Sequence, residues 1–129
     1  MKKLFLLVLF LTSSLFADLN WAEDYETGLA QAKAEHKKVI LMFTLSACQV
    51  CEKMKEEVYT QKKVMDYVEK YFVPIELNLD LDDKEGYEVF GTPTFYFLDS
   101  SGKQIGDVKM GGSTVDGFMR KLQEVQAAK

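Results

Sequence analysis

Apolar residues fall into two patterns along this chain. Val39–Leu45 (VILMFTL) and Phe72–Asp80 (FVPIELNLD) are short, nearly continuous apolar runs, the pattern of strands buried on both faces. Pro74 stands near the start of the second run, where a missing N–H is tolerated. TFYFLD and KQIGDVKM, separated by DSSG, read as two further strands joined by a hairpin. Elsewhere the spacing turns helical. Trp21, Tyr25, Leu29 and Ala32 predict a helix over 22–36, with Lys37 and Lys38 at its C-terminal end, where cations are favoured. Met54, Val58, Val64, Met65 and Val68 predict a helix from about Cys48 to Tyr71, broken near Thr60. LDDKEGYEVFG is a polar connection with room for one helical turn. After Gly111 and Gly112, a terminal helix presents Val115, Phe118, Leu122 and Val125 on one face. Ser113 is its expected N-cap, Asp116 lies three residues on, and Gly117 weakens it. The order α-β-α-β-turn-β-β-α predicts an α/β fold: a central mixed sheet with helices on both faces.

The first residues follow a different logic. MKK is basic, LFLLVLFL (Leu4–Leu11) is unbroken and apolar, and TSSLFA brings small residues up to Ala17. That order is the order of a secretory signal peptide, so residues 1–17 are expected to be removed, leaving one domain over 18–129. Leu4–Ala17 is shorter than the ~20 apolar residues that span a bilayer, so no membrane span is expected in the mature chain. The expected location is periplasmic or otherwise exported, where disulfides persist. A hydrophobic content of 47% suits one packed core. The net charge of −4 becomes −6 (−4 − 2) once Lys2 and Lys3 leave with the leader. An acidic chain without a basic patch excludes nucleic acid as a partner.

Both cysteines lie in LSACQVCEKM. As a structural staple, Cys48–Cys51 would close too few residues to stabilise the fold by much. As a zinc site it lacks ligands: four are needed, and the chain offers two cysteines and His36, an exposed helix-end residue in KAEHKK. A Cu(I) site of two thiolates and a methionine, as in a secreted metallochaperone, stays open as the alternative, with Met42 the nearest candidate. The redox reading uses the local context best. Cys48 is expected at a helix N-terminus directly after a buried strand, where unpaired N–H groups favour a thiolate. Cys51, one turn on and less accessible, would attack a mixed disulfide formed at Cys48. Cys48 is then the nucleophile and Cys51 the resolving thiol, with no metal and no cofactor beyond the pair.

The chain resembles the thioredoxin superfamily over about residues 19–126. Two stretches carry the resemblance: the apolar strand running into CQVC, and GTPTFYFLD. The resemblance implies a thioredoxin-like fold, a cis Thr92–Pro93 bond beside the cysteines, and a substrate-binding wall of Thr92 and Pro93. The stretch LNWAEDYETGLAQAKAEHKKVILMFTLSACQVCEKM is similar to the secreted group related to the C-terminal domain of the thiol:disulfide interchange reductase DsbD. That implies a reductant or general exchanger acting on protein thiols or disulfides, with a membrane electron donor as a candidate partner. Two positions depart from thioredoxins, which carry a buried Asp in the strand and a Trp before the first cysteine. Met42 and Ala47 stand there. The proton of Cys51 must then pass to water or to an acid from elsewhere, such as Glu76.

Overall fold

A computed structural model describes residues 18–129; the leader expected over 1–17 lies outside the described residues. The elements are α1 (Tyr25–Glu35), β1 (Lys38–Thr44), α2 (Gln49–Lys53) running into a π-helical turn (Met54–Val58), α3 (Lys62–Tyr71), β2 (Phe72–Asn78), β3 (Thr94–Leu98), β4 (Lys109–Met110) and α4 (Val115–Ala127). The four strands form one mixed sheet in the order β2-β1-β3-β4. β1 is central, parallel to β2 and antiparallel to β3.

Alternation along the strands sorts two cores. Ile40, Met42, Phe95 and Phe97 point to one face, where α2, the π-helical turn, α3 and α4 supply Cys51, Met54, Val64, Val68, Phe118 and Leu122. Val39, Leu41, Phe43, Ile75 and Tyr96 point to the other, covered by Ala32 and Leu29 of α1 and by Leu79, Tyr87 and Val89 of the β2–β3 connection. Helices therefore lie on both faces, as the spacing predicts. Gly28 sets the approach of α1: a Cβ there would collide with Ile75 and lie 2.9 Å from the Ala22 Cβ.

Several boundaries differ from expectation, each for a local reason. α1 starts at Tyr25 rather than Ala22, because the Asp24 carboxylate accepts the Thr27 N–H (2.7 Å) and caps it there. Trp21 is outside the helix and crosses to the opposite face, packing edge-on against Tyr59 with centroids 5.0 Å apart. Ala22 donates its N–H to Pro74 O (2.8 Å), so this segment covers the β2 edge. The polar connection after β2 closes one turn, Asp82 N–H to Asn78 O (2.7 Å), and forms no helix; Glu85 (φ 51°) and Gly86 (φ 83°) further on are left-handed. The expected strand KQIGDVKM shrinks to Lys109–Met110 plus one bridge, Leu98 to Gln104, because left-handed Gly106 (φ 64°) turns the chain away. The cap of α4 is Thr114, whose hydroxyl accepts the Gly117 N–H (3.1 Å); Ser113 instead donates its N–H to Met54 Sδ (3.2 Å). At the other end of α4, Lys38 Nζ donates to the carbonyls of Val125, Gln126 and Ala128 at 2.8–2.9 Å, satisfying a helix C-terminus that would otherwise be unpaired.

The close seat of α1 on β2 gives a stability test. Gly28→Val should destabilise the protein by about 1–3 kcal/mol, the usual penalty for overpacking. The check is a lowered urea midpoint at an unchanged slope.

Candidate active site

The chain leaves the sheet at Thr44 and the next three residues are exposed. They are nevertheless fixed. Ser46 donates its N–H to Asp80 Oδ2 (2.8 Å), and its hydroxyl accepts from Asn78 Nδ2 (3.1 Å). Cys48 then caps α2. Its backbone is extended (φ −102°, ψ 101°) and its sulfur accepts the Cys51 N–H at 3.1 Å. Cys48 and Cys51 form a disulfide, with Cα atoms 5.2 Å apart. Cys51 is wholly buried, whereas Cys48 is half-buried and Gln49 and Val50 are exposed. The two sulfurs thus differ in access and in hydrogen bonding. The Cys48 sulfur lies at the positive end of the helical segment with a backbone N–H pointed at it, a setting that favours a thiolate over a thiol.

Thr92 and Pro93 come to the same end of the sheet. Phe43 pairs with Thr94, so Pro93 and Thr92 lie level with the stretch that carries the chain from β1 to Cys48. The Thr92–Pro93 bond is cis, as the resemblance implies. Pro93 O accepts the Gly111 N–H at 2.8 Å. Gly112 seats against Val50, between the cysteines: a Cβ there would come within 2.8 Å of Val50 Cγ1. Gly111 and Gly112 therefore bridge the proline loop to the cysteine turn. In the sequence they read as helix punctuation only; their adjacency as a pair was the one signal of a close approach.

Met42 is wholly buried on the face that holds Cys51, and its register partner on β2 is Glu76, on the same face. The Glu76 carboxylate accepts from Lys55 Nζ at 3.1 and 3.2 Å, and from the Thr44 hydroxyl at 3.5 Å. Lys55 is one helical turn beyond Cys51 and also meets Glu52 (3.2 Å). Burial pulls the Lys55 ammonium down, but the Glu76 and Glu52 carboxylates outweigh it and its pKa is raised. Below them the Tyr59 hydroxyl is buried without a hydrogen-bond partner among the described residues; burial first, and the Glu76 charge second, hold its pKa well above the usual value. His36 caps the far end of α1, separated from the cysteines by the length of β1, about 20 Å for seven strand residues. For the Cu(I) alternative, the nearest candidate, Met42, is wholly buried in the interior of β1.

The sequence model of the thioredoxin-like domain matches residues 25–126. Among individual proteins, the thiol:disulfide interchange protein DsbD of Pseudoalteromonas atlantica is 28% identical over 106 residues, covering 76% of this chain and 17% of that protein. The disulfide bond reductase DsbH of Chlamydia pneumoniae is 30% identical over 103 residues, covering 69% of this chain and 61% of that protein. The chain thus spans less than two thirds of either relative. Among solved structures, a thioredoxin from Thermus thermophilus superposes with a TM-score of 0.73 at 28% identity, covering 86% of this chain and 89% of that one.

The asymmetry of the pair is measurable. Alkylation-rate titrations on Cys48→Ser and Cys51→Ser should place the Cys48 pKa below the ~8.5 of a free thiol and show Cys51 reacting more slowly at neutral pH. Faster reaction at Cys51 would reverse the assignment.

Proposed function

The chain belongs to the thioredoxin-like family, and on that premise we propose that it is an exported thiol–disulfide oxidoreductase acting on proteins, as a reductant or general exchanger. The observation that carries this reading is the capped, half-buried Cys48 sulfur beside a wholly buried Cys51. Export is supported by the leader-like order of residues 1–17. In the reduced form the Cys48 thiolate attacks one sulfur of a substrate disulfide. An S–S bond forms to Cys48, and the other substrate sulfur leaves as a thiolate and takes up a proton. Cys51 then loses its proton and attacks Cys48 Sγ, expelling the second substrate sulfur. The substrate gains two electrons and the Cys48–Cys51 disulfide is formed. Thr92 and Pro93 would form the wall along which an extended substrate lies, the Thr92 backbone offering a short edge pairing. A dithiol partner, with a membrane-bound donor as the candidate, would re-reduce the pair.

The proton of Cys51 is assigned to Glu76. Its carboxylate lies on the Cys51 face beside Met42, in an ion pair with Lys55.

Two tests follow from these steps. Cys51→Ser should accumulate mixed disulfides with protein substrates through Cys48, whereas Cys48→Ser should accumulate none; non-reducing gels with mass spectrometry read both, and trapping at Cys51 would refute the order of attack. Glu76→Gln should slow the second step by on the order of a hundredfold, the usual scale of a lost general base. Its rate should then follow the ionisation of Cys51 alone, and Met42→Asp should restore part of it. An unchanged rate and pH profile in Glu76→Gln would remove Glu76 from the mechanism.

A further inference from the structure

Large apolar side chains are exposed in a restricted region. Among the described residues they are Leu45, Val50, Leu81, Phe90, Val108 and Met110. Leu45 and Val50 flank Cys48 in the chain. The other four lie on two segments that end beside the cysteines: the β2–β3 connection and the strand side leading to Gly111. α1, α3 and α4 expose none. Phe90 is 83% exposed and Met110 59%, far beyond what packing alone would leave. With Val108 they line an open groove of about 240 Å³ over Thr94 and Tyr96, with Glu88 at its rim.

The groove is held in place. Met110 pairs with Thr94, the Tyr96 hydroxyl donates to Glu88 O (2.6 Å), and Gly111 is bonded to Pro93. It is also tied to the redox pair at both ends of the connection: Asp80 accepts the N–H of Ser46, two residues before Cys48, and Phe90 lies two residues before Thr92.

The surroundings are strongly acidic. Residues 80–88 carry Asp80, Asp82, Asp83, Glu85 and Glu88 against a single Lys84. None of the five forms an ion pair among the described residues. Asp80, Asp82 and Asp83 accept only backbone N–H groups, which leaves their charge in place. The nearest lysine on the strand, Lys109, does not offset them. Its ammonium donates to the Gly111 and Gly112 carbonyls and lies over the Phe95 ring, on the other side of the sheet from Thr94 and Tyr96.

We propose that this groove and the acidic connection select the protein substrate: an extended segment whose reacting cysteine lies near a bulky apolar side chain and is flanked by lysine or arginine. The proposal rests on the exchange reading above and names the substrate class for it. A segment paired at Thr92 would bring a side chain about two to four residues from its cysteine over Phe90 and Met110. Its cations would meet the carboxylates of 80–88, while an acidic segment would be repelled. A second copy of this chain is a poor occupant, since it would bring the same uncompensated negative charge.

The test uses the reduced mature protein and peptides carrying one cysteine as a mixed disulfide with 2-mercaptoethanol. The flanks are lysine or glutamate, and the neighbouring side chain is phenylalanine or serine. Neutral hydroxyethyl disulfide is the reference substrate. The lysine–phenylalanine peptide should react about tenfold or more faster than its glutamate counterpart at low salt, with the ratio falling at high salt as screening sets in. Replacing phenylalanine by serine should cost severalfold at any salt. The triple variant Asp83→Asn, Glu85→Gln, Glu88→Gln should lose the charge preference, and Phe90→Ser with Met110→Ser should lose the apolar one. Both variants should reduce hydroxyethyl disulfide at the parent rate. Equal rates for basic and acidic peptides, preferences that survive in the variants, or a dimer seated on the groove would overturn the proposal while leaving exchange intact. No reaction of the parent with hydroxyethyl disulfide would overturn the exchange reading itself, and the proposal with it.

Discussion

β1 is hydrogen-bonded to β2 on one side and β3 on the other, and six of its seven side chains are withdrawn from water. No residue of it can shift without breaking both ladders, and a slip of one position would exchange the two cores. The strand therefore delivers its C-terminal end to one place. The chain turns there through Leu45, Ser46 and Ala47 and begins a helix at Cys48, so the position of the sulfur is inherited from the sheet. The antiparallel register with β3 brings Pro93 to the same level, and the bond from Gly111 to Pro93 carries the α4 side into the same corner. Three segments distant in sequence thus converge because one buried strand fixes the height at which each ends.

Within that corner, position determines chemistry. The sulfur at the N-cap receives a backbone N–H, while its partner one turn on is shut away from solvent. The register of β1 with β2 then puts Glu76 on the sheet face that holds Cys51, beside Met42. A carboxylate on Met42's own strand would be more deeply desolvated. Glu76 reaches the same face from the neighbouring strand, with Lys55 and Thr44 compensating its charge. An acid on this neighbouring strand is paired rather than buried as a lone charge.

The sequence made the framework readable wherever one periodicity dominated. VILMFTL, FVPIELN and TFYFL are strands because each is apolar at most positions that face a core, and the terminal helix follows its apolar face. What escaped was decided by single hydrogen bonds between residues of equal local aptitude. Asp24 outcompetes the apolar spacing at Ala22 because a carboxylate cap satisfies an otherwise unpaired N–H. Ser113 and Thr114 are equally good caps by type, and a methionine sulfur from another helix engages the first of them. Trp21 keeps helical spacing with Tyr25 yet belongs to the opposite core, because the chain bends around the β2 edge between them. The cysteine pair could be read from type and spacing, and Pro93 from the family resemblance. Their proximity to Gly112, Phe90 and the acidic connection could not, since it arises from strand order.

The disulfide itself contributes little to holding this architecture. In the loop-closure picture, bridging residues three apart restricts the unfolded chain by about 2 kcal/mol, against roughly 4.7 kcal/mol for a loop of a hundred residues. A domain stability of about 5–15 kcal/mol cannot rest on so short a staple. It rests on the two cores, where Cys51 is one buried residue of many and Cys48 packs only against the edge of the first. That separation suits a site whose bond must open and close. Because the bridge spans one helical turn, opening it frees no loop, and the cap geometry that orients Cys48 is supplied by the backbone of α2 rather than by the S–S bond. The same segregation leaves the exposed apolar side chains free to gather around the site. Residues needed for the fold are inside, and those left outside at this corner are available to a substrate.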